Sequence, residues 1–122
     1  MKPLVLIVDD EFGLPEISAD FLVEDGFDVA IAINGELALD FLATREVALV
    51  ITDLMMPVVD GISLIRRMRA DPRFAAIPVV LMTALPEAVP DEARSLVDGL
   101  LVKPFSLREL LETVHRLVPR RG

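Results

Sequence analysis

Val47-Ala48-Leu49-Val50-Ile51 is an unbroken apolar run that closes abruptly on Thr52-Asp53. It has the length of a strand and none of the apolar–polar alternation of a half-solvated one, so it reads as a strand covered on both faces. Four similar runs flank it: Leu4 to Val8, Val29 to Ile33, Ile77 to Met82 with an interruption at Pro78, and Leu100 to Val102. Segments of helical period separate the runs. Leu14, Ile17, Phe21 and Leu22 share one helical face, as do Ala38, Phe41 and Leu42, then Ile62, Ile65 and Met68. Leu107, Leu110, Leu111, Val114 and Val118 make the last and cleanest stripe. Asn34-Gly35, Asp60-Gly61 and the Ser106/Glu109 pair supply helix-start signals. Pro86 and Pro90 break the fourth helical segment, leaving a short helix from about Asp91 to Val97.

Five alternations of strand and helix predict a doubly wound α/β domain of flavodoxin-like type. Its five-stranded parallel sheet has order 2-1-3-4-5, with helices on both faces joined by right-handed crossovers. A length of 122 residues with 53% apolar content suits one domain, residues 1–122, with a full core. Twelve basic against 20 acidic residues give a net charge of −8, which repels a phosphate backbone and argues against direct nucleic-acid binding. Without cysteine there is no disulfide framework, thiolate metal site or thiol nucleophile, and the single His115 cannot build a multi-histidine zinc site. His115 itself reads as a partly exposed packing residue on the last helix, and Arg120-Arg121 as a solvated tail. Neither a signal segment nor a membrane-length apolar stretch is present, so the expected location is cytoplasmic, with no membrane partner. The glycines form no dinucleotide or Walker fingerprint.

In such sheets ligands bind beyond the carboxyl ends of the strands, where the strand order reverses. Here those ends are polar: Asp9-Asp10 after the first run, Thr52-Asp53 after the third, Thr83 after the fourth and Lys103-Pro104 after the fifth. Three gathered carboxylates raise one another's pKa unless a cation sits among them, and magnesium, an oxygen-loving ion held by one or two carboxylates plus phosphate oxygens, suits this set. Lys103 and the Thr83 hydroxyl can each meet a phosphoryl oxygen. With no cysteine, and the only histidine distant, the nucleophile is expected to be Asp53, while Asp9 and Asp10 resemble a metal-holding pair. Attack on phosphorus would give an acyl phosphate, and without a positioned general base its hydrolysis would be slow enough for a signal.

Val8-Asp9-Asp10-Glu11, Asp53-Leu54-Met55-Met56-Pro57 followed by Asp60-Gly61, Thr83-Ala84 and Lys103-Pro104-Phe105 together resemble the response-regulator receiver domain of bacterial two-component signalling. The likeness covers essentially the whole chain. It implies phosphotransfer from a sensor histidine kinase or histidine phosphotransfer protein to Asp53, and a signal passed to a downstream protein target. It further implies Mg²⁺ held by Asp10, Asp53 and the Met55 carbonyl with Asp9 assisting, phosphoryl contacts from Thr83 and Lys103, and a cis Lys103–Pro104 peptide. Such a domain assists its own phosphorylation and slow dephosphorylation without being an enzyme that turns over a separate substrate.

The chain departs from the family at Leu100, where receivers commonly carry Tyr or Phe, and in the short, proline-bearing stretch from Thr83 to Lys103. An intact phosphoryl site with an atypical output through residues 84–95 is the expectation, in a receiver that stands alone. Two other readings compete with the switch. One is a receiver-fold interaction module indifferent to phosphorylation. The other is a magnesium-dependent phosphohydrolase resembling the haloacid dehalogenase family, which wants an Asp two residues after its nucleophile, where this chain has Met55.

Overall fold

The structure is a computed structural model describing residues 2–11, 13–56 and 60–118; Pro57, Arg120 and Arg121 lie outside the described residues. In chain order the elements are β1 (Leu4–Val8), α1 (Leu14–Glu24), β2 (Asp28–Ala32), α2 (Gly35–Leu42), β3 (Leu49–Asp53) and α3 (Gly61–Ala70). They continue with β4 (Val79–Thr83), a 3₁₀ turn (Pro86–Ala88), α4 (Asp91–Leu96), β5 (Gly99–Val102) and α5 (Leu107–Leu117). The strands form one parallel sheet in the order β2-β1-β3-β4-β5, as the alternation predicts. None of the described helices is long and apolar enough to cross a membrane.

Successive strand residues point to opposite faces, and each face has its own core. Leu6, Val8, Val50 and Leu81 pack with Ala38, Leu64, Met68 and Ala93 from α2, α3 and α4. Val5, Ile7, Leu49, Ile51, Val80 and Met82 pack with Leu22, Leu110 and Val114 from α1 and α5. Every residue of β1, β3 and β4 is buried. Burial on both faces does not extend to the edge strands, each paired along one side only among the described residues, where Ile31 of β2 and Val102 of β5 are exposed.

Local chemistry sets the helix starts. Asn34 Oδ1 accepts the Leu37 N–H at 2.8 Å and Asp60 Oδ1 the Ser63 N–H at 2.8 Å. Ser106 and Glu109 form the reciprocal capping box that their spacing predicts. Helix α1 corrects its predicted face: Ile17 is 57% exposed, whereas Pro15, Ser18 and Leu22 turn inward. Small or ring-closed residues fit where the helix lies close to the sheet, and apolar periodicity does not register them. Helix α4 is as short as its prolines predict. Its end is pinned by Arg69, which donates to Leu96 O (2.9 Å), Ala75 O (3.0 Å), Ile77 O (2.7 Å) and Asp98 Oδ2 (3.0 Å).

Candidate functional site

The carboxyl ends of β1, β3, β4 and β5 converge at one rim of the sheet. Asp53 is the last residue of β3; its neighbour Leu54 donates N–H to Asp53 Oδ1 at 2.9 Å and to Met82 O at 3.1 Å. Thr52 Oγ1 donates to Asp53 O at 3.0 Å. Behind the strand end, Gly61 opens α3 so close that an added Cβ would stand 2.2 Å from Asp53 O and 3.1 Å from Leu54 Cα. The Asp60-Gly61 turn signal therefore conceals a second requirement: only hydrogen fits between α3 and the backbone of Asp53.

Asp9, Asp10 and Asp53 each present a carboxylate oxygen, and these oxygens lie within 4.8 Å of one another. Asp9 and Asp53 are buried and Asp10 is exposed. Lys103 is the cation among them. Its Nζ lies 3.2 Å from Glu11 Oε1, 3.4 Å from Asp53 Oδ1 and 3.8 Å from Asp9 Oδ2. Asp9 Oδ1 accepts the Glu11 N–H at 3.0 Å, but buried Oδ2 accepts no hydrogen bond from any described residue. Burial pushes the Asp9 and Asp53 carboxyls above the usual range, against the pull of backbone N–H groups and Lys103. Burial would lower the Lys103 ammonium, but Asp53, Asp9 and Glu11 outweigh it and hold its pKa above the ordinary value.

This donor set fits a hard divalent cation. It consists of oxygens only, carries more negative charge than one lysine offsets, and leaves a buried carboxylate oxygen without a donor. Asp9, Asp10 and Asp53 could hold the ion. Met55, whose carbonyl the family resemblance adds, follows two residues after Asp53 and is 75% exposed.

Thr83 ends β4 and is buried; its Oγ1 accepts the Leu85 N–H at 3.0 Å, which leaves its own O–H to donate elsewhere. Lys103 N–H donates to Thr83 O at 2.8 Å, joining the two strand ends. The Lys103–Pro104 peptide is cis. The structure thus brings together Asp9, Asp10, Asp53 and Lys103 directly and sets Thr83 beside Lys103. It leaves His115 apart, at the far end of α1, where Nε2 meets Asp25 Oδ2 at 2.5 Å and the ring lies 5.9 Å from that of Phe27. The sequence reading missed Glu11 as a site residue. Its place beside the Asp pair was the one available signal, because Lys103 is 92 positions away.

A doubly wound parallel sheet whose strand ends gather three carboxylates and a lysine has the arrangement of a receiver domain. The chain belongs to the response regulator receiver domain family, whose profile it matches over residues 5–115. It is similar to the response regulator Rre1 of Synechocystis sp., 40% identical over 121 residues covering 96% of this chain and 52% of that protein. The DNA-binding dual master transcriptional regulator RpaA, also of Synechocystis, is 34% identical over 97% of this chain and 50% of its own length. The chain spans about half the length of the curated relatives it matches. Among solved structures it is similar to the response regulator TrrA of Thermotoga maritima in complex with Mg²⁺-BeF, at 32% identity and a TM-score of 0.86 over 97% of this chain and all of that one. The chemotaxis response regulator CheY4 of Vibrio cholerae superposes with a TM-score of 0.87 at 27% identity, covering 97% of this chain and all of that one. The chain is a receiver domain of two-component signalling.

Proposed function

We propose that this chain is a phosphorylation-controlled switch with Asp53 as its phosphoacceptor. The observation that carries the reading is the placement of Asp53: buried at the end of the central strand, 3.4 Å from the Lys103 ammonium and inside the carboxylate trio. An Asp53 carboxylate oxygen attacks the phosphorus of a phosphohistidine on a sensor kinase or phosphotransfer protein. The phosphorus–nitrogen bond breaks, the histidine leaves with the electron pair, and an acyl phosphate forms on Asp53. Asp9, Asp10, Asp53 and the Met55 carbonyl would hold Mg²⁺, which when bound supplies positive charge beside the phosphoryl oxygens. Lys103 and the Thr83 hydroxyl bind those oxygens. Water later attacks the phosphorus, releasing inorganic phosphate and restoring the carboxylate; no described side chain is placed as a strong base for that water, so the phosphorylated state lasts.

The domain occupies residues 1–122 and acts in the cytoplasm on a downstream protein. Half-buried Leu100, packed against the α2–α4 core, stands where an aromatic readout residue is common in the family, and residues 84–95 carry the output instead. The related TrrA structure, solved with Mg²⁺-BeF, supports the phosphoryl chemistry. Intact-protein mass spectrometry after incubation with acetyl phosphate and Mg²⁺ tests it. A phosphoryl adduct is expected on the native chain, lost with EDTA and absent from Asp53→Asn. No adduct on a folded native chain, even with a phosphorylated kinase, would favour an interaction module independent of phosphorylation.

A further inference from the structure

Lys103 makes its shortest ionic contact with Glu11, at 3.2 Å, rather than with Asp53 or Asp9. Glu11 lies outside the buried pair, its side chain 59% exposed, while its backbone N–H is fixed by Asp9 Oδ1. We infer that Glu11 is a displaceable tether on Lys103: it draws the ammonium toward the mouth of the site and opposes binding of a phosphoryl group at Asp53. The inference rests on the phosphoacceptor reading and adds to it a residue that sets how readily the site fills.

An anion arriving at Asp53 must take Lys103 as its counter-ion, and the Glu11 carboxylate holds that same ammonium. Its exposure makes the contact weak and solvent-screened, so a phosphoryl oxygen can replace it. The backbone bond to Asp9 keeps Glu11 in place to recapture Lys103 when the phosphoryl group leaves. Glu11 also adds negative charge beside the carboxylate trio, which favours a divalent cation while disfavouring a second anion. Mg²⁺ and phosphoryl binding should therefore respond to Glu11 with opposite signs. A residue important only for folding would not separate them in this way.

Amide NMR titrations of the full chain, with Mg²⁺ alone and then with beryllofluoride at saturating Mg²⁺, test the tether; the chain has no Trp or Tyr to report binding by fluorescence. Glu11→Gln is expected to bind beryllofluoride about two- to fivefold more tightly and Mg²⁺ more weakly by a similar factor, the range of one exposed ion pair. Glu11→Asp keeps the charge but withdraws the carboxylate by one methylene. It should also tighten beryllofluoride while leaving Mg²⁺ affinity at the native value. Unchanged or weaker beryllofluoride binding by Glu11→Gln overturns the tether. So does native-like beryllofluoride binding by Glu11→Asp, which would reduce the effect to net charge. If the native chain takes up no beryllofluoride, both the tether and the phosphoacceptor reading fail, an outcome distinct from normal native uptake that Glu11→Gln leaves unaltered.

Discussion

Arg69 and Lys103 are both partly buried cations, and their surroundings are opposite in kind. The Arg69 guanidinium spreads its donors over three backbone carbonyls and one carboxylate, and that carboxylate also accepts the Val79 N–H at 2.9 Å. Donors and acceptors match there, joining the end of α3 to the end of α4 and to the approaches of β4 and β5. Lys103 has one ammonium among three carboxylates within 4.0 Å, and Asp9 Oδ2 beside it accepts no hydrogen bond from the described residues. The first arrangement is complete in itself and holds the architecture. The second leaves negative charge and a buried carboxylate oxygen unmatched, and that mismatch is what the proposed Mg²⁺ and phosphoryl binding would use.

The two regions should respond differently to substitution, and the largest effect is expected where backbone geometry supports the mismatched site. Gly61→Ala places a methyl 2.2 Å from Asp53 O, against backbone that has little room to yield. A loss of about 3 kcal/mol in urea unfolding is expected from such overpacking, together with weakened beryllofluoride binding as α3 is driven off the end of β3. Retained stability and binding would show that the strand end can shift freely. Arg69→Ala comes next. It strips donors from Leu96 O, Ile77 O and Asp98, and should cost about 2–3 kcal/mol while leaving the Asp53 phosphoryl adduct intact wherever the chain is folded. Arg69→Lys should recover less than half of that loss, because a single ammonium cannot span acceptors arranged for a fork. An Arg69→Ala protein of native stability that fails to form the adduct would dissolve the division between architecture and site.

What could be read in the sequence follows the same division. Buried parallel strands announce themselves as apolar runs, and a polar residue closing such a run is conspicuous; Asp9, Asp10, Asp53, Thr83 and Lys103 were legible for that reason. Interactions that depend on close approach or on distant partners left no such mark. Gly61 looked like turn chemistry, since nothing local tells that its missing Cβ faces Asp53 O. Ser18 lies buried on α1 while Ile17 stays in solvent, because the distance between helix and sheet, not hydropathy, selects the small residue. Val47 is buried yet precedes β3, so the apolar run began two residues before the strand it predicted. Arg69 gave no signal at all, because its partners are mainly backbone carbonyls whose positions depend on the fold.

The smallest effect has the opposite sign and tests the mismatch itself. Asp9→Asn can keep Oδ1 as acceptor for the Glu11 N–H while replacing the unpartnered oxygen with an amide able to donate toward the neighbouring carboxylates. Burial holds the native Asp9 carboxyl above its ordinary pKa, so the folded state binds its proton more tightly than the unfolded chain does. The stability this contributes is fully present below the unfolded value, about pH 3.9, and is lost as pH rises through the folded value. At pH 7 the charged group therefore weighs against the fold, and Asp9→Asn is expected to be more stable than native by about 1 kcal/mol, a rise of roughly 3–5 °C in Tm. That gain should shrink as pH falls through the raised folded value and reach its minimum below about 4, where the native carboxyl is neutral in both folded and unfolded chains. Added Mg²⁺ should narrow the gap at pH 7 from the other side, stabilising the native chain more than the variant that lacks one of its proposed ligands. Thermal melts at pH 7 and pH 3.5, with EDTA or Mg²⁺, check each sign. A variant less stable than native at pH 7 in EDTA would mean that the cluster is already balanced by Lys103, and that the contrast with Arg69 is one of geometry alone.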